Sequence, residues 1–368
     1  MSRARRARLR PVDWTEKTAL LALHAAPQLG PQRINRMVAR LGSACAVVED
    51  PRGASVAVEP RVLQMPTCAE LERLAAEQLA ASVKCGALVV VRGERSYPQE
   101  FEQLENPPPL FHLLGNEALL APERSRIAVI GARGCTAYGR EQAQRFATGL
   151  AFAGEIVVSG AARGIDQLAM AAAVQSQGAV VAVIGSGLDQ PYPKDCWPLL
   201  QRMLDTDGAV LSELPYGTAP RPGNFPRRNR LIAALSRAVL VIQATRKSGT
   251  MNTVGWALSL GRDIFALPGP VDHVACSGTN YLIHDGAGIA LSPEEMLLDL
   301  NNSNLAVAEG HDSPLMQLLL KGDYHPIEIA REAGLPEEVV RLQLLDLELR
   351  GQVIRQASGH YHRCGPRS

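Results

Sequence analysis

Glycines, serines and arginines gather where the apolar runs of this chain end, and that mixture suits the holding of phosphate. Ile127–Ile130 leads into Gly131-Ala-Arg133-Gly134. Ile156–Val158 leads into Ser159-Gly160-Ala-Ala-Arg163-Gly164-Ile-Asp166, and Val180–Ile184 into Gly185-Ser186-Gly187, with Lys194 further on. Val239–Ile242 is followed by Lys247-Ser248-Gly249-Thr250. Small residues let a ligand approach the backbone. The N–H groups and dipole of a following helix attract an anion, and the cations neutralise it.

The densest basic stretch is Arg221-Pro-Gly-Asn-Phe225-Pro-Arg227-Arg228-Asn229-Arg230. Guanidinium forks pair with phosphate, and an aromatic face beside them can stack a base. Asn229 can bond a base edge or the backbone. The expected phosphate and polynucleotide site therefore comprises Gly131, Arg133, Gly134, Ser159, Gly160, Arg163, Gly185, Gly187, Lys194, Phe225, Arg228, Asn229, Arg230, Ser248, Gly249 and Thr250. The competing reading is a helix start solvated by arginines, with Phe225 in the core.

Other phosphate chemistries fit poorly. A dinucleotide site needs G-x-G-x-x-G and an acidic residue ending the second strand. Here the spacing is Gly131-x-x-Gly134 and that strand ends in Ser159-Gly160. A Walker A loop is absent. The nearby acids Asp166, Asp189, Asp195 and Glu213 form no paired-carboxylate motif, and Asp166 reads as a helix N-cap. His273 and His284 have no partner at metal-ligand spacing. No catalytic residue, metal or cofactor is expected.

The elements that must carry these exits alternate between strand and helix. Six short apolar runs, Ile127–Ile130, Ile156–Val158, Val180–Ile184, Ala209–Leu211, Val239–Ile242 and Ile264–Ala266, are separated by stretches such as Arg140–Ala153 and Gln167–Gln177 with helical spacing. That alternation predicts an α/β fold with a doubly wound parallel sheet. Ahead of it, Trp14 to about Lys84 is Ala/Leu-rich and helical, with the turn Pro27-Gln-Leu-Gly30-Pro31 between two helices. Such a hairpin either packs or holds a phosphate backbone. Ala87–Arg92 reads as a short β-run, leading through Tyr97-Pro98 and Pro107-Pro-Pro109 to Gly115 in a connecting segment with one or two edge strands, because the prolines exclude a helix or a central strand.

The chain of 368 residues suggests several domains. Residues 1–12 form a basic tail, 13–86 a helical domain, 87–300 the sheet domain and 301–312 a polar linker. Residues 313–368 read as three helices and a hairpin, a winged-helix-like pattern. The net charge of +1 confines any nucleic-acid binding to local patches. The seven scattered cysteines without C-x-x-C spacing fit a reducing cytoplasm, and no apolar run is long enough to span a membrane.

Together with Tyr97-Pro98 and Pro107-Pro-Pro-Leu-Phe111, an ordered series of motifs is now in view: Ile127–Gly139, Ser159–Asp166, Gly187-Leu-Asp-Gln-Pro-Tyr-Pro193, Ser212-Glu213 and Phe225–Ile232 with Leu235-Ser236. Ser248-Gly249-Thr250, Pro268-Gly269 and Gly278-Thr-Asn280 before Gly286-Ala287 complete it. In these the chain resembles the DprA/Smf family of DNA-processing proteins. The resemblance implies an extended Rossmann-like domain, a sterile-alpha-motif-like or helix-hairpin-helix-like N-terminal segment and a winged-helix-like end. It implies single-stranded DNA binding without nucleotide hydrolysis, loading of the recombinase RecA during natural transformation, and a homodimer. By position, it places Arg133, Arg163, Lys194, Arg228, Asn229 and Arg230 around the DNA. Met170, Gln243 and Met251-Asn252-Thr253 depart from the family's usual histidine, glutamate and Leu-Ile-Thr, as in a divergent paralogue.

Two other classes are weighed against this. A phosphoribohydrolase-like enzyme or sensor on the same fold would need a Gly-Thr-x-x-Glu motif, but Gly249-Thr250 is followed by Met251, Asn252 and Thr253. A transcription regulator would need a basic recognition helix, but Glu337–Arg350 is net acidic.

Overall fold

The computed structural model describes residues 14–58, 65–308, 314–319, 321–333, 335, 337–349, 353–356 and 358–363. The basic tail expected at residues 1–12 lies outside them. Two compact units divide the chain, Met1–Met296 and Leu297–Ser368.

Five helices come first: α1 (Glu16–Ala25), α2 (Pro31–Leu41), α3 (Ala44–Glu49), α4 (Pro51–Val58) and α5 (Cys68–Cys85). Their ends are written in the sequence. Thr15 and Thr18 close a capping box on α1, and Thr67 and Glu70 close another on α5. Pro31 opens α2 in the position where its missing N–H costs nothing, and Gly42 stops it at φ 89°. α1 is buried from Ala19 to His24 and packs against α2, α3 and α5.

Two strands follow, β1 (Leu88–Val91) and β2 (Leu110–Gly115). Then come β3 (Arg126–Ile130), α6 (Ala137–Phe152), β4 (Ile156–Ser159), α7 (Ile165–Gln175), β5 (Val180–Val183), α8 (Trp197–Asp205) and β6 (Ala209–Ser212). The chain continues through α9 (Asn224–Leu235), β7 (Ala238–Val241), α10 (Thr250–Ser259), β8 (Asp263–Ala266), α11 (Ser277–His284) and β9 (Gly288–Ile289). All nine strands form one sheet in the order β1-β2-β6-β5-β4-β3-β7-β8-β9. From β6 to β9 neighbours are parallel, whereas β1–β2 and β2–β6 are antiparallel. The interior strands β3 to β7 are buried on both faces, which is why they read as unbroken apolar runs.

The chain runs outward from β3 through β4 and β5 to β6, then crosses back to β7 on the other side of β3 and continues to β8 and β9. The direction of winding therefore reverses between β3 and β7. Loops leaving these two strands separate and open a crevice beyond their carboxyl ends.

The N-terminal helices and the sheet share one compact unit, so the expected boundary at residues 86 and 87 is not a seam. Buried polar contacts explain this. The His24 ring bonds the Glu213 carbonyl at 2.7 Å, and Gln78 and Tyr216 exchange two hydrogen bonds, of 2.9 and 3.3 Å.

After β9 the chain forms α12 (Pro293–Ala308), α13 (Pro314–Leu319), α14 (Pro326–Ala333), α15 (Glu337–Leu349) and the antiparallel pair β10 (Val353–Arg355) and β11 (Tyr361–Arg363). The polar stretch expected as a linker from residue 301 instead continues α12 to Ala308, because its asparagines interrupt a run of helix-forming Leu and Ala rather than ending it. Leu315, Ile329, Val340, Leu344 and Val353 make the core of this second unit. Among the described residues no helix is long and apolar enough to cross a membrane.

Candidate nucleic-acid interface

A cleft of about 680 Å³ occupies the crevice between the exits of β3 and β7. Gly131, Ala132 and Arg133 enter it after β3, Ala162 and Asp166 after β4, and Thr245, Ser248, Gly249 and Thr250 after β7. Phe225, Arg228 and Asn229 of α9 form another wall. A smaller depression of about 290 Å³ adjoins it and adds Gly134, Gly160 and Arg163. The first turns of α7, α9 and α10 all line the cleft, and Gly164, Gly223 and Gly249 cap them without a side-chain hydrogen bond. Three positive helix ends thus border one cleft, which suits an anion.

The close approach of the β3 and β4 loops depends on glycine. Gly164 sits at φ +84°, and a β-carbon there would meet the carbonyl oxygens of Ala132 and Arg133 at 2.4 and 2.5 Å. A β-carbon on Gly131 would meet Ile165 at 2.7 Å. The two loops therefore pack backbone to backbone, and Arg133 is carried on the outer side, exposed to solvent.

Arg133 and Phe225 define the mouth. The guanidinium carbon lies 5.7 Å from the ring centroid, within reach of a cation–π contact. Tyr192 also packs against Phe225, with ring centroids 5.6 Å apart and planes tilted by 48°. Phe225 is neither core nor free: it is half-buried, and Gly185 gives it room, since a β-carbon there would touch the ring at 3.0 Å. Arg163 is exposed and paired with Asp195 at 3.1 Å, a contact that solvent screens. Asn229 lines the cleft and its Nδ2 donates to Asn252 Oδ1 at 3.3 Å.

Several expected site residues stand elsewhere. Arg228 is buried, and its Nη1 donates to the carbonyls of Gly160 (2.7 Å) and Val183. Only its edge reaches the cleft floor. Arg230 is also buried and forms an ion pair with Glu213, beneath a different surface. The cause is that α9 starts at Asn224, well before the apolar Leu231-Ile232 pair. Arg228, three and four residues ahead of that pair, therefore falls on the same inward face. Ser159 is buried and donates to the Val129 carbonyl at 2.8 Å. Gly187 is buried in a turn with Thr218, its N–H donating at 2.9 Å. Lys194 lines a separate depression of about 1210 Å³ with Asp189, Trp197 and Arg202.

Asp166 is not an N-cap. It is the second residue of α7, and its Oδ2 accepts from the N–H groups of Gly160 and Ala162 at 3.1 and 3.4 Å. Burial pushes this carboxyl up to about 6, against the pull of the Arg228 guanidinium and the backbone N–H groups of Ala162, Gly160 and Gly131. Burial likewise lowers Arg228 to about 10, which Asp166 opposes. The two groups converge on the side of Gly160 where a β-carbon would stand, 2.7 Å from each.

The departures from the family pattern are structural here. Gln243 is buried, accepts from the Thr136 N–H at 2.9 Å and donates to the Thr136 hydroxyl at 3.0 Å, holding the start of α6. Met170 is fully buried in α7. Sequence reasoning missed Tyr192, Thr245 and Thr253 as lining residues. The Pro-Tyr-Pro run at 191–193 was the only signal for the first.

Comparison with known proteins agrees with this architecture. The Smf protein of Escherichia coli is 37% identical over 250 residues, covering 64% of this chain and 67% of the relative. That of Synechocystis is 36% identical over 232 residues, and the chain spans only 56% of its length. Among solved structures, DNA processing protein A of Streptococcus pneumoniae superposes with a TM-score of 0.64 at 29% identity, over 78% of this chain and 98% of that one. The Helicobacter pylori protein of the same name, whose structure concerns its single-stranded DNA binding mode, gives 0.53 at 29% identity, over 59% of this chain and 96% of that one. Residues 88–301 match the model of the DNA recombination-mediator protein A family. These residues hold the whole sheet and every wall of the cleft, and the chain belongs to the DNA recombination-mediator protein A (DprA/Smf) family.

Proposed function

We propose that this chain binds single-stranded DNA along the carboxyl edge of its sheet and, as a cytoplasmic homodimer, protects incoming DNA and loads RecA during natural transformation. The observation that carries the reading is the Arg133–Phe225–Tyr192 group at the mouth of a cleft fed by three helix N-termini. A guanidinium beside two aromatic rings serves a flexible strand whose bases are unpaired, because phosphate and base face are offered together. The single-stranded DNA binding of the H. pylori relative supports the same ligand class.

In this reading Arg133, Arg163, Phe225, Asn229, Ser248, Gly249 and Thr250 touch the strand. Gly131, Gly134 and Gly160 permit its approach. Arg228 and Arg230 act from beneath as positioning residues. The three helices and hairpin after α12 serve as a winged-helix-like module for protein contact. No side chain of the cleft is assigned a catalytic role.

The test is a titration of single-stranded and duplex oligonucleotides at fixed salt, with the wild-type protein and Arg133→Ala. Preference for the single strand, lost in the variant, supports the reading, and equal affinity of the two proteins overturns it. RecA filament assembly on the coated strand and the mass of the protein in solution test the loading and dimer steps.

A further inference from the structure

A second depression, of about 480 Å³, lies beside the cleft. Gly30 and the first two residues of α2, Pro31 and Gln32, line it, with Arg227 and Arg230 of α9 and Trp256 of α10. The two cavities share a wall. Pro226 lines both, and the Asn229–Asn252 hydrogen bond joins a residue of the cleft to one of the notch.

The notch offers the two things a nucleotide needs. Gly30 caps α2 without a side-chain hydrogen bond, so the positive end of an eleven-residue helix opens into it. Arg227 stands at that end, its Nη2 only 3.9 Å from where a Gly30 β-carbon would be, and it is held from behind by Glu213 at 3.6 Å. Arg230, only 6% exposed, has no hydrogen-bond partner for its Nη1 among the described residues. Trp256 is half-buried and presents an indole surface to the cavity. The one carboxylate in the lining, Glu105, is exposed on the rim. Beyond the notch, Gln32, Arg36 and Arg40 are all exposed and recur every fourth residue, so they lie along one face of α2.

We propose that this notch is a second subsite for the same single strand. Leaving the switch-point cleft across Asn229 and Asn252, the strand sets a phosphate against the α2 N-terminus and Arg227. It stacks a base on Trp256 and then follows the Arg36–Arg40 face. The proposal rests on the reading of the cleft as a single-stranded DNA site, and it gives the N-terminal helices a share in binding.

The test uses the full chain with labelled oligothymidylate of about 6 and about 16 nucleotides, lengths that bracket one site and an extended one. The surface variant Gln32→Glu with Arg36→Glu is expected to bind the longer strand roughly tenfold more weakly and the shorter one as the wild type does. Trp256→Phe should keep the long-strand affinity and Trp256→Leu lose it, at thermal midpoints that show both are folded. If the double variant binds both lengths as wild type, or loses both equally, while Arg133→Ala weakens both, the notch proposal fails and the cleft reading stands. If Arg133→Ala has no effect, the cleft reading fails and the notch with it. A loss confined to duplex DNA also overturns the single-strand track.

Discussion

Arg133 and Phe225 meet across the mouth of the switch-point cleft, the guanidinium carbon 5.7 Å from the ring centroid. The contact joins a loop from one strand exit to a helix that follows another. A cation–π contact at such a half-exposed place stabilises the pair by about 0.5–1 kcal/mol, enough to orient the arginine without consuming its hydrogen-bonding edge.

Arg133→Ala is therefore expected to weaken single-stranded DNA binding by about 1–3 kcal/mol, and to reduce the slope of log affinity against log salt by about one. Fluorescence anisotropy across a salt series checks both numbers. An unchanged slope would place the phosphate elsewhere.

Phe225→Ala removes a stacking face and is expected to cost about 1–3 kcal/mol of binding, with little effect of salt on the size of the loss. Phe225→Trp should recover most of it, provided the larger ring clears Gly185. Competition titrations at two salt concentrations separate this behaviour from that of Arg133→Ala.

Arg230→Ala should act on folding first. It leaves Glu213, 3% exposed, with Arg227 at 3.6 Å as its remaining cation, and breaking a buried pair on one side costs about 3–5 kcal/mol. Urea denaturation reads the loss. Arg230→Ala with Glu213→Gln is expected to be less damaging than the single change, because no buried charge is then left over.

Acid should destabilise the protein through two buried histidines. Burial lowers His24 to about 4 and His112 to about 3, from 6.5, and the nearby Arg227 and the neighbouring ring add to it. Below pH 6.5 the unfolded chain takes up protons that the folded chain refuses. The histidines therefore lower stability as pH drops from about 6.5 toward 4, by up to about 1.4 kcal/mol per pH unit each, partly offset by Asp166, whose raised carboxyl takes up its proton first in the folded chain. Neither ring nitrogen of His112 has a hydrogen-bond partner among the described residues, and its ring packs edge-on against Tyr216. His112→Phe is expected to flatten the acid limb of the stability curve and to leave neutral stability unchanged. Thermal melts from pH 4 to 7 measure this.

The sheet was legible because its interior strands are apolar on both faces, so Ile127–Ile130 or Val239–Ile242 admits one interpretation. The ligand edge followed from it, since whatever leaves those strands must gather at one end. What escaped were properties that depend on partners distant in sequence. Arg228 and Arg230 resemble surface arginines until the Gly160 and Val183 carbonyls and Glu213 arrive from other strand exits to receive them. Tyr192 reaches Phe225 only through the path of a loop, and β9, two residues long, carries no pattern at all.

The bonds from Arg228 to the carbonyls of Gly160 and Val183 have a kinetic consequence. They tie the exits of two adjacent strands together. On the function proposed above, a DNA strand arriving at this edge meets loops held by these bonds. Association should then be governed by diffusional encounter and long-range charge, slowing with ionic strength but insensitive to the slow openings that limit binding by mobile loops.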